Sequence, residues 1–279
     1  MKTKTVLITG ATSGVGFATA KALASRGFNV VLLARNEEKV NKTVALLKKL
    51  APEASIDFVL GDLSDLASIK SAAAAFQAKY NTLDVLINNA GGIFDTYEKT
   101  KDGFEWGFQV NHLGHYYLTK LLKKELLSST EPRVINLSSE AHKMGKFDIE
   151  NLNCEKKFSG WGQYGSTKLM NILFTKGLVE NFENINAYAV HPGVVKTGFG
   201  ANNGGLLKYF SWMPFLITPE QGAETSVHLA TAPISELKNG YYYKKSKPAA
   251  IAKNGIDHNY RDQLWDVSKK LLKSKGFVV

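Results

Sequence analysis

The chain opens with a β-branched run, Thr5-Val6-Leu7-Ile8-Thr9. It passes at once into Gly10-Ala11-Thr12-Ser13-Gly14-Val15-Gly16, ahead of a segment with helical periodicity. Few folds accommodate that order. Glycines between a first strand and a first helix permit a tight turn, close backbone approach to a ligand, and close packing of helix on strand. The helix then offers its free N–H groups and positive dipole end to the loop, which suits a pyrophosphate. The spacing is G-x-x-x-G-x-G rather than G-x-G-x-x-G. Its position after the first strand points to dinucleotide binding, with a plain tight turn as the alternative.

The alternation continues along the chain. Strands are predicted near 5–9, 29–34, 56–60, 84–87, 133–137, 186–190 and 240–243. Helices are predicted near 14–26, 37–50, 64–80, 103–127, 162–181 and 219–232. Strands separated by helices imply right-handed crossovers and a parallel sheet covered on both faces. No repeat, low-complexity tract or Pro-rich linker divides the 279 residues, so one α/β domain spanning 1–279 is expected.

Composition narrows the function classes. The single cysteine, Cys154, excludes an intramolecular disulfide and suits a reducing compartment; an inert loop thiol is the expected reading. Histidines 112, 115, 142, 191, 228 and 258 are scattered without acidic or Cys clusters, so no metal site is expected. The first strand follows Met1-Lys2-Thr3-Lys4 directly, and no uninterrupted apolar stretch of ~18 residues exists. A cytoplasmic protein with no transmembrane segment is expected. The net charge of +10 is uneven: from Lys238 onward ten Lys/Arg face three Asp. This basic C-terminal extension, near 244–279, lacks a nucleic-acid motif and an Arg-rich run. A solvated face is the preferred reading, with no nucleic-acid partner.

The loops after successive strands carry the candidate chemistry, since ligands of open α/β sheets lie at the carboxyl ends of the strands. The second strand ends Ala34-Arg35. An acidic residue at that tip would accept from a free ribose 2′-OH; Arg35 instead suits a 2′-phosphate, which favours NADP(H) over NAD(H), unless Arg35 pairs with Glu37 or Glu38. Asp62-Leu63 follows the third strand, where a loop passes the expected adenine. Asn88-Asn89-Ala90-Gly91-Gly92 follows the fourth, where Asn89 can serve the cofactor or the turn. Asn111 falls within a helix-period segment, where a polar role is plausible. Ser138 and Ser139 end the fifth strand, and Pro192-Gly193-Val194-Val195-Lys196-Thr197 follows the sixth.

Tyr164 and Lys168 stand one helical turn apart on a common face. An ammonium ~5 Å away favours a phenolate by roughly 3 kcal/mol at an effective dielectric of ~20. A lowered Tyr164 pKa is therefore expected, which would make the phenol a usable acid/base.

Taken together, the motifs from Thr5 to Thr197 resemble the short-chain dehydrogenase/reductase family. The resemblance implies a single Rossmann-like domain with a seven-stranded parallel sheet. It implies a phosphate loop at Gly10, Ser13, Gly14 and Gly16, with Val15 among the contacts, Asp62 and Leu63 at the adenine, and Asn88 on the nicotinamide side with Asn89, Ala90 and Gly91. Pro192, Gly193, Val195 and Thr197 would complete the cofactor contacts. The family's catalytic Asn, Ser, Tyr and Lys fall on Asn111, Ser139, Tyr164 and Lys168, Ser139 being chosen over Ser138 by aligning the strand.

The interval from Ser139 to Tyr164 is longer than the family's usual dozen or so residues and contains Phe147, Phe158 and Trp161. With Tyr-x-x-x-Lys-Leu-x-Asn-x-Leu-Phe at 164–174, it resembles the retinol dehydrogenase and protochlorophyllide reductase branch. That likeness implies a lipophilic carbonyl or alcohol substrate, retinoid-like or a long aldehyde or ketone. Steroid, quinone or pteridine reduction, or a non-catalytic NADP-binding sensor, are the alternatives.

Downstream, Gly200 to Gly205 and the aromatic stretch from Leu206 to Ile217 are read as a substrate flap near 198–218, with Phe210, Trp212 and Phe215 as apolar walls. Helix core, or a weak membrane-surface contact assisted by the basic extension, are the other readings of that stretch. The family likeness also leaves room for a homo-oligomer built on the two long helices near 103–127 and 162–181.

Overall fold

The computed structural model describes residues 3–195 and 216–278. Strands β1 (Thr5–Thr9), β2 (Asn29–Ala34), β3 (Ile56–Leu60), β4 (Val85–Asn88), β5 (Arg133–Leu137), β6 (Asn186–His191), β7 (Tyr242–Lys244) and β8 (Lys247–Pro248) form one sheet in the order β3-β2-β1-β4-β5-β6-β7-β8. The first seven pair in parallel, and β8 adds an antiparallel edge to β7. The order reverses between β1 and β4, which opens a crevice at their carboxyl ends. Among the described residues the expected seven strands thus become eight. The extra strand comes from a two-residue turn at Lys245 and Ser246, with φ of 51° and 58°. Such turns favour Asn-Gly, so this pair carries no hairpin signature.

Helices α1 (Gly14–Ala24), α2 (Glu37–Leu50) and α8 (Pro219–Thr231) cover one face of the sheet. Val6, Ile8, Val30 and Leu32 point to that side, whereas Leu7, Val31 and Leu33 point to the other, as the two-residue strand period requires. The second face is covered by α3 (Leu66–Gln77), α5 (Gly114–Leu121), α7 (Gly160–Asn181) and α9 (His258–Ser274).

The helix expected over 103–127 is not continuous. It begins as α4 (Trp106–Phe108), passes through a π-turn at Gln109–Leu113, continues as α5 and ends as α6 (Lys123–Leu127). The basic extension is also more than a solvated face. In α9, Leu264, Trp265, Ser268 and Leu272 are buried, and Trp265 packs edge-on to Tyr116 and Phe182. A Cβ on Gly177 of α7 would lie 2.8 Å from the Trp265 ring, so the indole fills a notch that a side chain there would close. α9 of the same chain therefore packs against both of the helices expected to join copies. Among the described residues, no helix is long and apolar enough to cross a membrane.

Candidate active site

The β1–α1 turn is held from beneath. Thr9 Oγ1 accepts from the Asn89 and Ala90 N–H groups at 2.9 and 3.0 Å, and the Asn89 amide donates to the carbonyls of Thr9 and Gly10. A Cβ on Gly16 would sit 2.4 Å from the Gly10 carbonyl and 2.5 Å from Asn89 Nδ2, so only glycine fits there. Ser13 is the N-cap of α1, yet its side chain makes no capping bond and no acidic residue occupies the first turn. The first N–H groups of α1 are thus left for an anion, as a phosphate cradle requires. Asn89 belongs to the scaffold of that cradle. Arg35 is exposed at the tip of β2 and forms no ion pair among the described residues, while Glu38 pairs with Lys42.

Two expected contacts point elsewhere. Asn88 is buried and donates to Asn136 Oδ1 at 2.8 Å and Thr119 Oγ1 at 3.2 Å, inside the second face rather than in the crevice. Strand-end alternation turns it inward. Leu63 is buried in the core. Asp62 stays half-buried beside β3, its Oδ1 accepting from the Ser64 N–H and hydroxyl.

At the carboxyl ends of β4 and β5, four expected residues converge. Asn111 lies in the π-turn, fully buried. Its Oδ1 accepts from the Gly92 N–H at 2.9 Å, and its Nδ2 donates to the Gly92 carbonyl and to Thr167 Oγ1, both at 3.0 Å. The π-turn and α7 are thereby fastened one residue from Lys168. Lys168 is buried, donates to the Leu137 carbonyl at 3.0 Å and lies 5.5 Å from the Tyr164 ring centroid. Gly91 has φ of 153°, and a Cβ there would meet Asn111 Oδ1 at 2.7 Å and Lys168 Nζ at 3.4 Å, so glycine keeps this floor open. The two serines separate cleanly. Ser138 is buried and donates to the Lys168 carbonyl at 2.7 Å, whereas Ser139 is half-buried and hydrogen-bonds Tyr164.

Burial dominates the electrostatics. It pushes the Tyr164 phenol up to about 12 against the smaller lowering effect of its hydrogen bond with Ser139, and it pushes the Lys168 ammonium down to about 8. The direction at Tyr164 is opposite to that expected from charge pairing alone, because the cost of burying a phenolate is the largest effect on it. Burial likewise raises the Cys154 thiol to about 12, helped by Glu105 and Asp148, so it stays unionised.

Pro192 and Gly193 follow β6, and Val195 bridges Ile217 just before α8. A Cβ on Gly222 would meet both Val195 and Val15 within 3.0 Å, which places the β6 loop beside the glycine turn. Thr197, Phe210, Trp212 and Phe215, with most of the expected flap, lie outside the described residues.

The long interval before Tyr164 forms 3-10 turns at Glu140–Met144 and Ile149–Asn151. Trp161 meets Tyr164 edge-on at 6.1 Å and is 40% exposed, Phe158 packs against the exposed Tyr97, and Met144 is 62% exposed. Phe147 turns away, buried against Tyr260 of α9. Tyr97, Met144 and the Asn111 partner Thr167 were absent from the sequence reading. Thr167 could have been found, because it sits between Tyr164 and Lys168.

A glycine turn suited to a phosphate thus lies beside the half-buried Tyr164 and the buried Lys168 on the carboxyl side of one sheet, an arrangement able to hold a dinucleotide and move a proton next to it. A family model described as short chain dehydrogenase matches residues 4–204. The chain is 39% identical over 272 residues to retinol dehydrogenase 12 of Mus musculus, covering 96% of this chain and 86% of that protein. It is 38% identical over 290 residues to retinol dehydrogenase 14 of Mus musculus, covering 98% and 86%. A solved structure of an uncharacterized protein from Mycobacterium Paratuberculosis matches with a TM-score of 0.77 at 30% identity, over 97% of this chain and 93% of that one. The chain belongs to the short-chain dehydrogenase family and is retinol dehydrogenase-like within it. It is therefore an oxidoreductase of the alcohol–carbonyl type that uses a nicotinamide cofactor.

Proposed function

We propose that this oxidoreductase uses NADP(H) and acts on a lipophilic carbonyl or alcohol. The observation that carries the reading is the meeting of Ser139, Tyr164, Lys168 and Asn111 at the ends of β4 and β5. A nicotinamide held beside Tyr164 would supply or take the hydride at the substrate carbon. In reduction, Tyr164 gives its phenolic proton to the carbonyl oxygen, and a pKa held high by burial keeps that proton in place beforehand. Ser139 donates to the same oxygen as negative charge develops. Lys168 sets a positive potential under the phenol and would hold the nicotinamide ribose. Both Asn111 amide hydrogens are engaged, so a relay water there would donate to the second Oδ1 lone pair. Oxidation of an alcohol runs the path backward, with Tyr164 as base.

The exposed Trp161 ring edge-on to Tyr164 favours a lipophilic substrate, as do the names of the retinol dehydrogenase relatives. The test is NADPH oxidation at 340 nm against aldehydes and ketones graded by chain length and ring content. Turnover is expected to rise with apolar size; activity confined to small polar sugars would overturn the substrate class.

Cofactor choice rests on Arg35, an exposed guanidinium at the end of β2 with no ion pair among the described residues. Arg35→Asp is expected to weaken NADP(H) by about 10- to 100-fold, the scale of one charge-assisted pair at 1.5–3 kcal/mol, and to spare NAD(H). Titration of both cofactors decides it, and equal losses would refute the assignment.

A further inference from the structure

Glu105 is a carboxylate with no exposed surface and no ion pair among the described residues, yet it stands outside the chemistry assigned above. A buried charge is expensive to keep unless hydrogen bonds replace its water. Three do so here. Oε1 accepts from the Gly107 N–H at 2.8 Å, and Oε2 accepts from the Phe108 N–H at 2.6 Å and from Gln163 Nε2 at 2.8 Å.

The first two bonds cap the helix that runs through α4 into the π-turn of Asn111. Capping alone asks for a short side chain such as Ser or Asp. The extra methylene of Glu105 lets Oε2 also reach α7, at the residue immediately before Tyr164. Gln163 donates in addition to the Leu152 carbonyl at 3.1 Å, and the Glu105 N–H donates to Asn153 Oδ1 at 3.0 Å. One carboxylate thus joins the helix carrying Asn111, the helix carrying Tyr164, and the long loop between Ser139 and Tyr164. Glu105, Gln163, Asn111 and Tyr164 lie around one narrow cleft with Phe94 and three glycines, Gly92, Gly107 and Gly160.

We propose that Glu105 is a positioning residue that, through Gln163, sets Tyr164 against Asn111 and the substrate oxygen. This inference rests on the reading of Tyr164 as the proton donor. The Asn111–Thr167 bond ties the same two helices at a second point, so the Glu105–Gln163 bond acts as the outer of two struts and controls the tilt of the first turn of α7. Reacting groups misplaced by about 1 Å can lose about 100-fold in rate, so a strut of this kind is felt in kcat before it is felt in binding.

The test uses the full chain with Gln163→Leu, which removes the strut and leaves the cap in place. Glu105→Gln is compared, since it keeps the shape but offers one acceptor oxygen where two are used. Gln163→Leu is expected to lower kcat about 10- to 100-fold, with the carbonyl KM and the NADPH Kd within about two-fold of wild type. Glu105→Gln should fall between the two. Hydrogen exchange read by mass spectrometry should rise in Gln163→Leu at residues 107–113 as well as at 160–166, because the strut couples the two segments. An unchanged kcat, a kcat loss matched by loss of NADPH affinity, or exchange that rises only at 160–166 would overturn the proposal. If the wild-type chain reduces no carbonyl, the reading of Tyr164 fails, and the exchange result alone decides whether Glu105 couples the helices.

Discussion

Tyr164→Phe is expected to lower kcat by at least about 100-fold, the usual contribution of a positioned acid or base, while NADP(H) affinity stays near wild type. The substitution keeps the ring, its edge contact with Trp161 and its place above Lys168, and removes only the hydroxyl that hydrogen-bonds Ser139. Ser139 and Lys168 remain to bind and polarise, so the loss isolates proton transfer from cofactor binding. Single-turnover NADPH oxidation together with a cofactor binding titration measures the two separately. Retention of more than about one hundredth of kcat would remove Tyr164 from the role of acid.

Mild acid is expected to unfold the chain, because the site is underlain by neutral histidines. His115 is buried between Thr9 Oγ1 and the Asn111 carbonyl, and His112 is buried against Ser268 among Phe108, Tyr116 and Phe174. Burial pulls His112 down to about 3, and His115 and His191 down to about 4, from 6.5. The sign follows from proton counting. Above pH 6.5 these rings are neutral in both states, so stability is full. As pH falls through 6.5 the unfolded chain binds protons that the folded chain refuses, and the loss grows until the folded values near 3 to 4 are reached. His112 then forfeits about 5 kcal/mol and His115 and His191 about 3 kcal/mol each, against a total stability of about 5–15 kcal/mol for a typical protein. Glu140, held at about 2 despite its burial by Lys143, Tyr242 and Lys244, adds a loss in the same direction below its ordinary 4.5. A thermal midpoint followed by circular dichroism should fall steeply between pH 6.5 and 4.5. A flat midpoint across that window would mean that the rings protonate in place without penalty.

Much of this site was legible in the sequence because its parts are local. Strand ends, the glycine turn and the Tyr–Lys interval are properties of neighbouring residues. What escaped depends on tertiary placement. The π-turn at Asn111 leaves the apolar period of its helix almost unchanged, so 103–127 reads as one helix. The inward turn of Asn88 follows from which face of β4 its side chain takes, and that face meets α5 and α7. The raised phenol of Tyr164 reflects burial, which no spacing between Tyr and Lys reports. The four buried residues of α9 do carry a helical period, Leu264, Trp265, Ser268 and Leu272, and the surrounding lysines obscured it. Glu105 had no signal at all, since its partner lies 58 residues away.

The position of α9 also orders events in time. Leu264, Trp265 and Leu272 belong to the same apolar cluster as Phe76, Tyr116 and Phe174, whose other members are all made earlier in the chain. Sheet pairing up to β7 needs nothing beyond residue 244, but the notch at Gly177 stays empty until Trp265 has emerged from the ribosome. A chain made only as far as β7 would therefore leave Tyr116, Phe174 and Phe182 without the indole that covers them.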